Sequence, residues 1–250
     1  MGTPWTDSEL SDEDSTRDNS EIFSDSYAEA IEMSPQFNRA ATEVLTVGKR
    51  YLPSCNSIVQ RMANHNKRFS VDLQGRSFSI LRGLSPYFAG ESIAILEDIE
   101  QQLDLLDRLS GSAELCTVFS FGDLPVDDCI FHTDGYRIAM LCTYDGPGTE
   151  YLLSNQWDRA CFDSYWQSRT KMDEQIQRCS NIAEKEVLIG RRRELDLRND
   201  FFVPRNTRIK QLQTGAVGIW KGDLWIGGSA LLHRMPRTGS KRLRFMAFVN

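Results

Sequence analysis

Histidine is scarce in this chain of 250 residues, long apolar runs are absent, and the six cysteines are scattered. Only positions 65, 132 and 233 carry an imidazole, so few places can support histidine chemistry. No stretch of about 18 apolar residues exists, which excludes a transmembrane helix of ordinary length. The opening Met-Gly-Thr-Pro-Trp-Thr-Asp lacks a basic segment followed by an apolar one, so no secretory signal is expected and a cytoplasmic location is. Cys55, Cys116, Cys129, Cys142, Cys161 and Cys179 show no Cys-x-x-Cys spacing. That pattern fits reduced thiols and excludes a structural zinc knot. Gly146-Pro147-Gly148-Thr149 has neither the lysine nor the glycine spacing of a phosphate loop and reads as a tight turn. No internal repeat is evident.

Charge is unevenly spread. The net value of −6 hides ten carboxylates against Arg17 alone in residues 1–32, a local charge of −9 that leaves the rest at +3. So acidic a segment, poor in large apolar residues, is expected to be a disordered tail over residues 1–33. The remaining residues, 34–250, are long enough for one domain with one good core. Arg191-Arg192-Arg193 reads as a solvated face, and without a broad basic excess no nucleic-acid partner is expected.

Apolar spacing at Ala40, Val44, Val47, Tyr51, Ile58, Val59 and Met62 predicts two helices broken at Leu52-Pro53, with His65 on the surface. Phe69–Leu73 and Ser77–Leu81 flank Gln74-Gly75-Arg76 like a hairpin, and Gly90–Leu109 has helical periodicity. Residues 34–110 would thus form a helical and hairpin support for the core. Leu115–Phe121 and residues 136–144 read as strands, the second stopped at Asp145-Gly146-Pro147-Gly148. Residues 154–207 interrupt the strand pattern with Trp157, Phe162, Tyr165, Trp166, Met172 and Ile176, an insertion that could serve as a lid. Short strands resume at Gly215–Gly222, Leu224–His233 and Arg242–Val249, the last two expected to form a hairpin.

His132 and Asp134 lie two apart, where an extended chain turns both side chains to one side. A kink is expected near Gly135. His233 ends an apolar run, and Arg242 and Arg244, of equal parity in the final strand, could grip an anion bidentately. Two neutral imidazoles and a carboxylate on one face of an iron ion leave three adjacent positions open.

The order His132-x-Asp134, His233, and an arginine nine to eleven positions later resembles the Fe(II)/2-oxoglutarate-dependent dioxygenases of the cupin-type double-stranded β-helix. A mostly bacterial group within or near that fold is more similar still. Its pattern is matched at Cys129, Phe131, His132, Asp134, Arg137, Thr143, Tyr144, Gly146–Thr149, Lys221, Gly222, His233, Arg234, Pro236, Arg242 and Leu243. The match covers residues 114–153 and 208–250, and it implies fold and metal site better than substrate. The implied fold is α+β with a β-rich core, a double-stranded β-helix or jelly roll with packing helices on its N-terminal side and a helical insertion. The resemblance implies His132, Asp134 and His233 as metal ligands, and Fe(II), 2-oxoglutarate and dioxygen as reactants. Arg242 would bind the oxo acid, with Arg244 in reserve and Tyr144 or Arg137 as further donors, and the substrate would be a small molecule or amino-acid derivative. A non-catalytic zinc or iron protein of the same fold, or a zinc hydrolase, are the alternative readings. Nothing in the sequence fixes an oligomeric state.

Overall fold

The computed structural model describes residues 20–39, 41–48, 58, 68–88, 90–111, 114–122, 126–198, 200–237 and 241–250. The predicted break at Leu52-Pro53 and His65 lie outside these residues.

The chain is ordered well before residue 34. Strand β1 (Glu21–Ser24) leads into helix α1 (Tyr27–Glu32), short helix α2 (Ser34–Phe37) and strand β2 (Val44–Val47). This corrects the expected disordered tail for residues 20–33, and the reason is local. Ser26 caps α1 by accepting from Glu29 N, while the Glu29 carboxylate accepts from Asp25 N at 2.7 Å. Acidic side chains thus satisfy a helix end instead of only repelling one another. Tyr27 and Ala30 are buried, and the Tyr27 hydroxyl donates to Asp98 at 2.9 Å. Val44–Val47, expected to be helical, is a strand because all four side chains are buried, two on each face, in a short run rich in β-branched residues.

Strand β3 (Arg68–Gly75) is followed not by a second hairpin strand but by helix α3 (Ser77–Leu84). Ile80 and Leu84, four apart, are the buried positions, and Gly83 sits so close to Leu73 that a Cβ there would meet its Cδ1 at 2.8 Å. Helix α4 (Ile93–Ser110) forms as its spacing predicts. Ile95, Ile99, Leu103 and Leu106 bury one stripe, and Gly111 ends the helix at φ +78 with its N–H on the Asp107 carbonyl.

The remaining strands are β4 (Leu115–Gly122), β5 (Ile138–Asp145), β6 (Glu150–Leu152), β7 (Lys210–Gln211), β8 (Val217–Lys221), β9 (Leu232–Arg234) and β10 (Arg242–Val249). Two sheets result, ordered β1-β2-β8-β5-β10-β4-β3 and β7-β6-β9. In sequence the chain passes from β4 and β5 at the centre of the large sheet to β6 and β7 of the small one, back to β8, out to β9 and back again to β10. The order β4-β10-β5-β8, antiparallel throughout, with returns through the small sheet, defines a double-stranded β-helix. The predicted hairpin of residues 224–249 is corrected accordingly. β9 pairs with β6, whereas β10 crosses to the large sheet and inserts between β4 and β5.

Alternation along the strands separates three cores. Leu243, Phe245, Ala247 and Val249 of β10 face the helices, together with Ile138, Met140 and Cys142 of β5. Ala139, Leu141, Trp220, Tyr151, Met246 and Phe248 fill the space between the sheets. A third core lies on the outer face of the small sheet, where Leu152 and Leu232 meet Trp157, Phe162, Tyr165 and Phe202 of the insertion. The insertion carries helices α5 (Arg159–Arg178) and α6 (Ile182–Leu197). Its aromatic residues therefore buttress the small sheet from behind and do not roof the space between the sheets. Arg192 of the basic run faces inward, pairing with Asp173 and Asp196 at 2.9 and 3.2 Å. Among the described residues no helix is long and apolar enough to cross a membrane.

Candidate metal centre

After a 3-10 turn at Val126–Cys129 the chain runs extended past β9, joined to it by an isolated antiparallel bridge between His132 and His233. Met235 N donates to Asp128 O at 2.7 Å, and His132 and His233 exchange both backbone hydrogen bonds at 2.9 and 3.0 Å. Directly opposed residues in such a bridge project to one face. The imidazoles accordingly stand side by side, with ring centroids 4.4 Å apart. After Asp134 the chain bends through residues 135–137 before β5 begins, so the kink expected near Gly135 is present. The end of β8 holds that bend: Asp223 N donates to Asp134 O at 2.8 Å and Gly222 N to Arg137 O at 3.1 Å. A Cβ on Gly222 would lie 2.1 Å from Tyr136 O and 2.6 Å from Asp134 O, which explains why glycine stands there.

The ligand atoms of His132, Asp134 and His233 all lie within 4.8 Å of one another, and His233 Nε2 is 3.4 Å from Asp134 Oδ2. Metal–ligand bonds of about 2.1 Å place adjacent donors about 3 Å apart, close to the latter gap. Both histidines are oriented alike. Nδ1 of His132 contacts Ile130 O at 2.7 Å and Nδ1 of His233 contacts Leu231 O at 3.2 Å. A carbonyl can only accept, so Nδ1 carries the proton and Nε2 turns its lone pair to the cluster. His233 is 5 % exposed, and burial pushes its pKa down to about 4 against the raising effect of Asp134. It is neutral near pH 7, as a metal ligand must be. Trp220 Nε1 donates to Asp134 Oδ2 at 2.9 Å, and its ring lies 4.8 Å from that of His233.

Further along the interior stand the arginines. Arg242 and Arg244 share the inward face of β10 with Met246 and Phe248. Arg242 is 2 % exposed and donates through Nη2 to Pro236 O at 2.8 Å; burial lowers its pKa. Arg244 is matched by a carboxylate, Asp128, at 2.7 Å, and also donates to Ser120 Oγ at 3.1 Å. Thr143 lies opposite Arg244 on β5, 1 % exposed, and among the described residues its Oγ1 has no hydrogen-bond partner. A buried hydroxyl left unmatched in register opposite a buried arginine suits an anionic ligand, since such groups are otherwise satisfied. Leu141 and Met246 line the interior between Thr143 and Trp220.

Tyr144 and Arg137 are not brought to this space. Tyr144 points to the helical side, where its hydroxyl donates to Asp98 at 2.8 Å and accepts from Gln102 at 2.7 Å. Arg137 donates to Ser110 O at 2.7 Å, tying the end of α4 to the sheet. Cys129, next to Asp128, packs against the interior cluster, and burial foremost raises its pKa, so it stays a thiol. Sequence reasoning missed Trp220, Thr143 and Asp128. Only the parity of Thr143 with the interior residues of its strand could have signalled one of them.

These observations define the class: a helix-backed double-stranded β-helix holding a two-histidine, one-carboxylate cluster at one end of its interior. The chain belongs to the family described as protein of unknown function DUF1826, whose profile matches residues 17–247. No curated protein matches it in sequence. Among solved structures it is similar to the dioxygenase for auxin oxidation of rice, at 10% identity and a TM-score of 0.46, over 92% of this chain and 82% of that one. The Kdo hydroxylase KdoO, a non-heme Fe(II) alphaketoglutarate-dependent dioxygenase in complex with cobalt(II), is similar at 13% identity and a TM-score of 0.48, over 91% and 87% of the two chains. A full-length Neurospora crassa protein in complex with alpha-KG and 5-formyluracil is similar at 10% identity and a TM-score of 0.42, over 92% and 83%.

Proposed function

We propose that this protein is a non-haem Fe(II)- and 2-oxoglutarate-dependent oxygenase that oxidises a small molecule or amino-acid derivative. The observation that carries the reading is the pairing of two sites in one interior: the His132, Asp134 and His233 cluster, and the inward face of β10, where buried Arg242 and Arg244 stand and the unmatched Thr143 hydroxyl lies in register opposite Arg244. When bound, iron and 2-oxoglutarate would let dioxygen act as the oxidant: one of its oxygen atoms would enter the oxo acid, which leaves as succinate and carbon dioxide, and the other would enter a substrate C–H bond.

The residues of the chain have separate tasks in this reading. His132 and His233 present neutral Nε2 atoms and Asp134 a carboxylate, a donor set that suits Fe(II) and leaves room for further ligands. Arg242 binds the distal carboxylate of the oxo acid and Thr143 donates a second hydrogen bond. Arg244, which donates to Asp128 and Ser120, is the second candidate. Leu141 and Met246 exclude water along the methylenes between the two ends, strengthening the electrostatic grip on the carboxylate.

Anaerobic protein loaded with Fe(II) is expected to bind 2-oxoglutarate and, on admission of oxygen, to release succinate slowly even without substrate. Arg242→Ala should weaken oxo-acid binding by at least about 30-fold, the equivalent of ~2 kcal/mol for losing a charged hydrogen-bond partner. Equal binding by the variant and the unaltered protein would overturn the assignment.

A further inference from the structure

We infer that Trp220 is a positioning residue for the metal cluster, its indole N–H fixing the rotamer of Asp134 while its ring fixes that of His233. The inference rests on the cluster being a metal site, and extends it to a residue that contributes no ligand atom. Trp220 is 2 % exposed and belongs to β8, flanked in register by Val44 on β2 and Ala139 on β5. Two residues earlier Gly218 leaves space for the ring: a Cβ there would meet Trp220 Cζ3 at 3.0 Å. Walls on both sides and below hold the indole still. From that position Nε1 reaches Asp134 Oδ2 at 2.9 Å, and the ring packs at 4.8 Å and 49° against His233.

Asp134 needs such a restraint. It follows a β-bridge and precedes a bend, so no strand ladder orients its side chain. Its backbone is fixed by Asp223 N on the carbonyl, but the carboxylate is free to turn about its χ angles unless a donor catches it. The indole N–H is a donor only, with no lone pair to compete for an ion, so it can hold one carboxylate oxygen without itself becoming a ligand. His132 and His233 are oriented by the carbonyls of Ile130 and Leu231, and Trp220 does for the carboxylate what those carbonyls do for the rings.

The test is cobalt(II) binding by the whole chain under anaerobic conditions, read by calorimetry and by the visible spectrum of the bound ion. Trp220→Phe keeps an aromatic ring against His233 and removes the N–H; it is expected to weaken cobalt affinity about 10- to 100-fold and to change the spectrum, which reports coordination geometry. Trp157→Phe, the same change in the outer core, should alter neither. Equal affinity and spectrum in Trp220→Phe and the unaltered protein would overturn the inference and leave the oxygenase reading standing. Failure of the unaltered protein to bind cobalt would overturn both. A measurement on the unaltered protein covers the case in which Trp220→Phe does not fold. One of its five indole N–H resonances should be slow to exchange and should broaden with the first equivalent of cobalt. If all five persist, the inference fails.

Discussion

Lys221 is wholly buried, an expensive place for an ammonium group, and its titration is open to a sharp test. Its Nζ donates to the carbonyls of Arg39 and Thr42 and lies 5.3 Å from the ring centre of Phe37 and 4.9 Å from that of Trp225. Burial nevertheless drives its pKa down from 10.5 to about 8, only partly offset by Glu43. Between pH 8 and 10.5 the unfolded chain therefore holds a proton that the folded chain has released, so this residue makes stability rise with pH across that window. A shift of that size corresponds to about 3 kcal/mol. Lys221→Met keeps the length of the side chain and removes the charge. Urea unfolding of both proteins at pH 7.5, 9 and 10.5 isolates the effect, because every other titrating group contributes equally to the two curves. The stability difference should move by about 3 kcal/mol in favour of the lysine protein as pH rises. Parallel curves would refute the reasoning. Through these two bonds the residue ties the carbonyls of Arg39 and Thr42 to the strand that carries Trp220.

Other outcomes follow from contacts already described. Gly222→Ala should displace the Asp134 backbone and cost about 100-fold in cobalt affinity, measured by titration, while the helical content of the circular dichroism spectrum is unchanged. Tyr144→Phe should leave oxo-acid binding unaltered, since its hydroxyl serves Asp98 and Gln102, and should lower stability by about 1–3 kcal/mol in urea melts. In metal-free protein the depressed pKa of His233 makes its contribution fully present above the unfolded value near 6.5 and lost as pH falls through about 4. His233→Gln should therefore flatten the acid limb of a stability–pH profile, and an unchanged limb would contradict the burial effect. Removing residues 1–33 deletes β1 and α1 with the buried Tyr27 and Ala30; a loss of about 5 kcal/mol is expected from denaturant melts.

The parts of the fold visible in the sequence are those whose pattern has one physical meaning. Helix α4 has an unbroken apolar stripe and a glycine stop, and β4 and β5 are strands bounded by turn residues. His132, Asp134 and His233 are legible only in combination, since a His-x-acid pair arises by chance in roughly 0.4 of chains with three histidines and 35 acids, and it is the distal His233 followed by Arg242 and Arg244 that completes the pattern. Where a pattern has two meanings, tertiary context decides. Val44 and Val47 are three apart, as in a helix, yet both faces of Val44–Val47 are buried in the sheet. Ile80 and Leu84 are compatible with a hairpin strand until Leu73 packs under Gly83. Charge counting fails at Glu21, whose carboxylate receives the Tyr151 hydroxyl and Lys210. Such an acid joins the edges of two sheets, and no local window contains its partners. Tyr144 is misassigned for a related reason. The bend at 135–137 uncouples the parity of β5 from that of His132, so alternation counted across it places a residue on the wrong side.

The mutual backbone bridge between His132 and His233 has a consequence for metal selection. Since peptide groups rather than an ion set the separation of the two imidazoles, the scaffold holds its claws in place before any ion arrives, and loading requires no folding step. A preset cradle of this kind binds readily but discriminates poorly: copper and zinc would outcompete iron at equal concentration. Under the oxygenase reading proposed above, occupancy by iron would depend on which free ion the surroundings offer, and a preparation made in air with adventitious zinc would be inert without being misfolded.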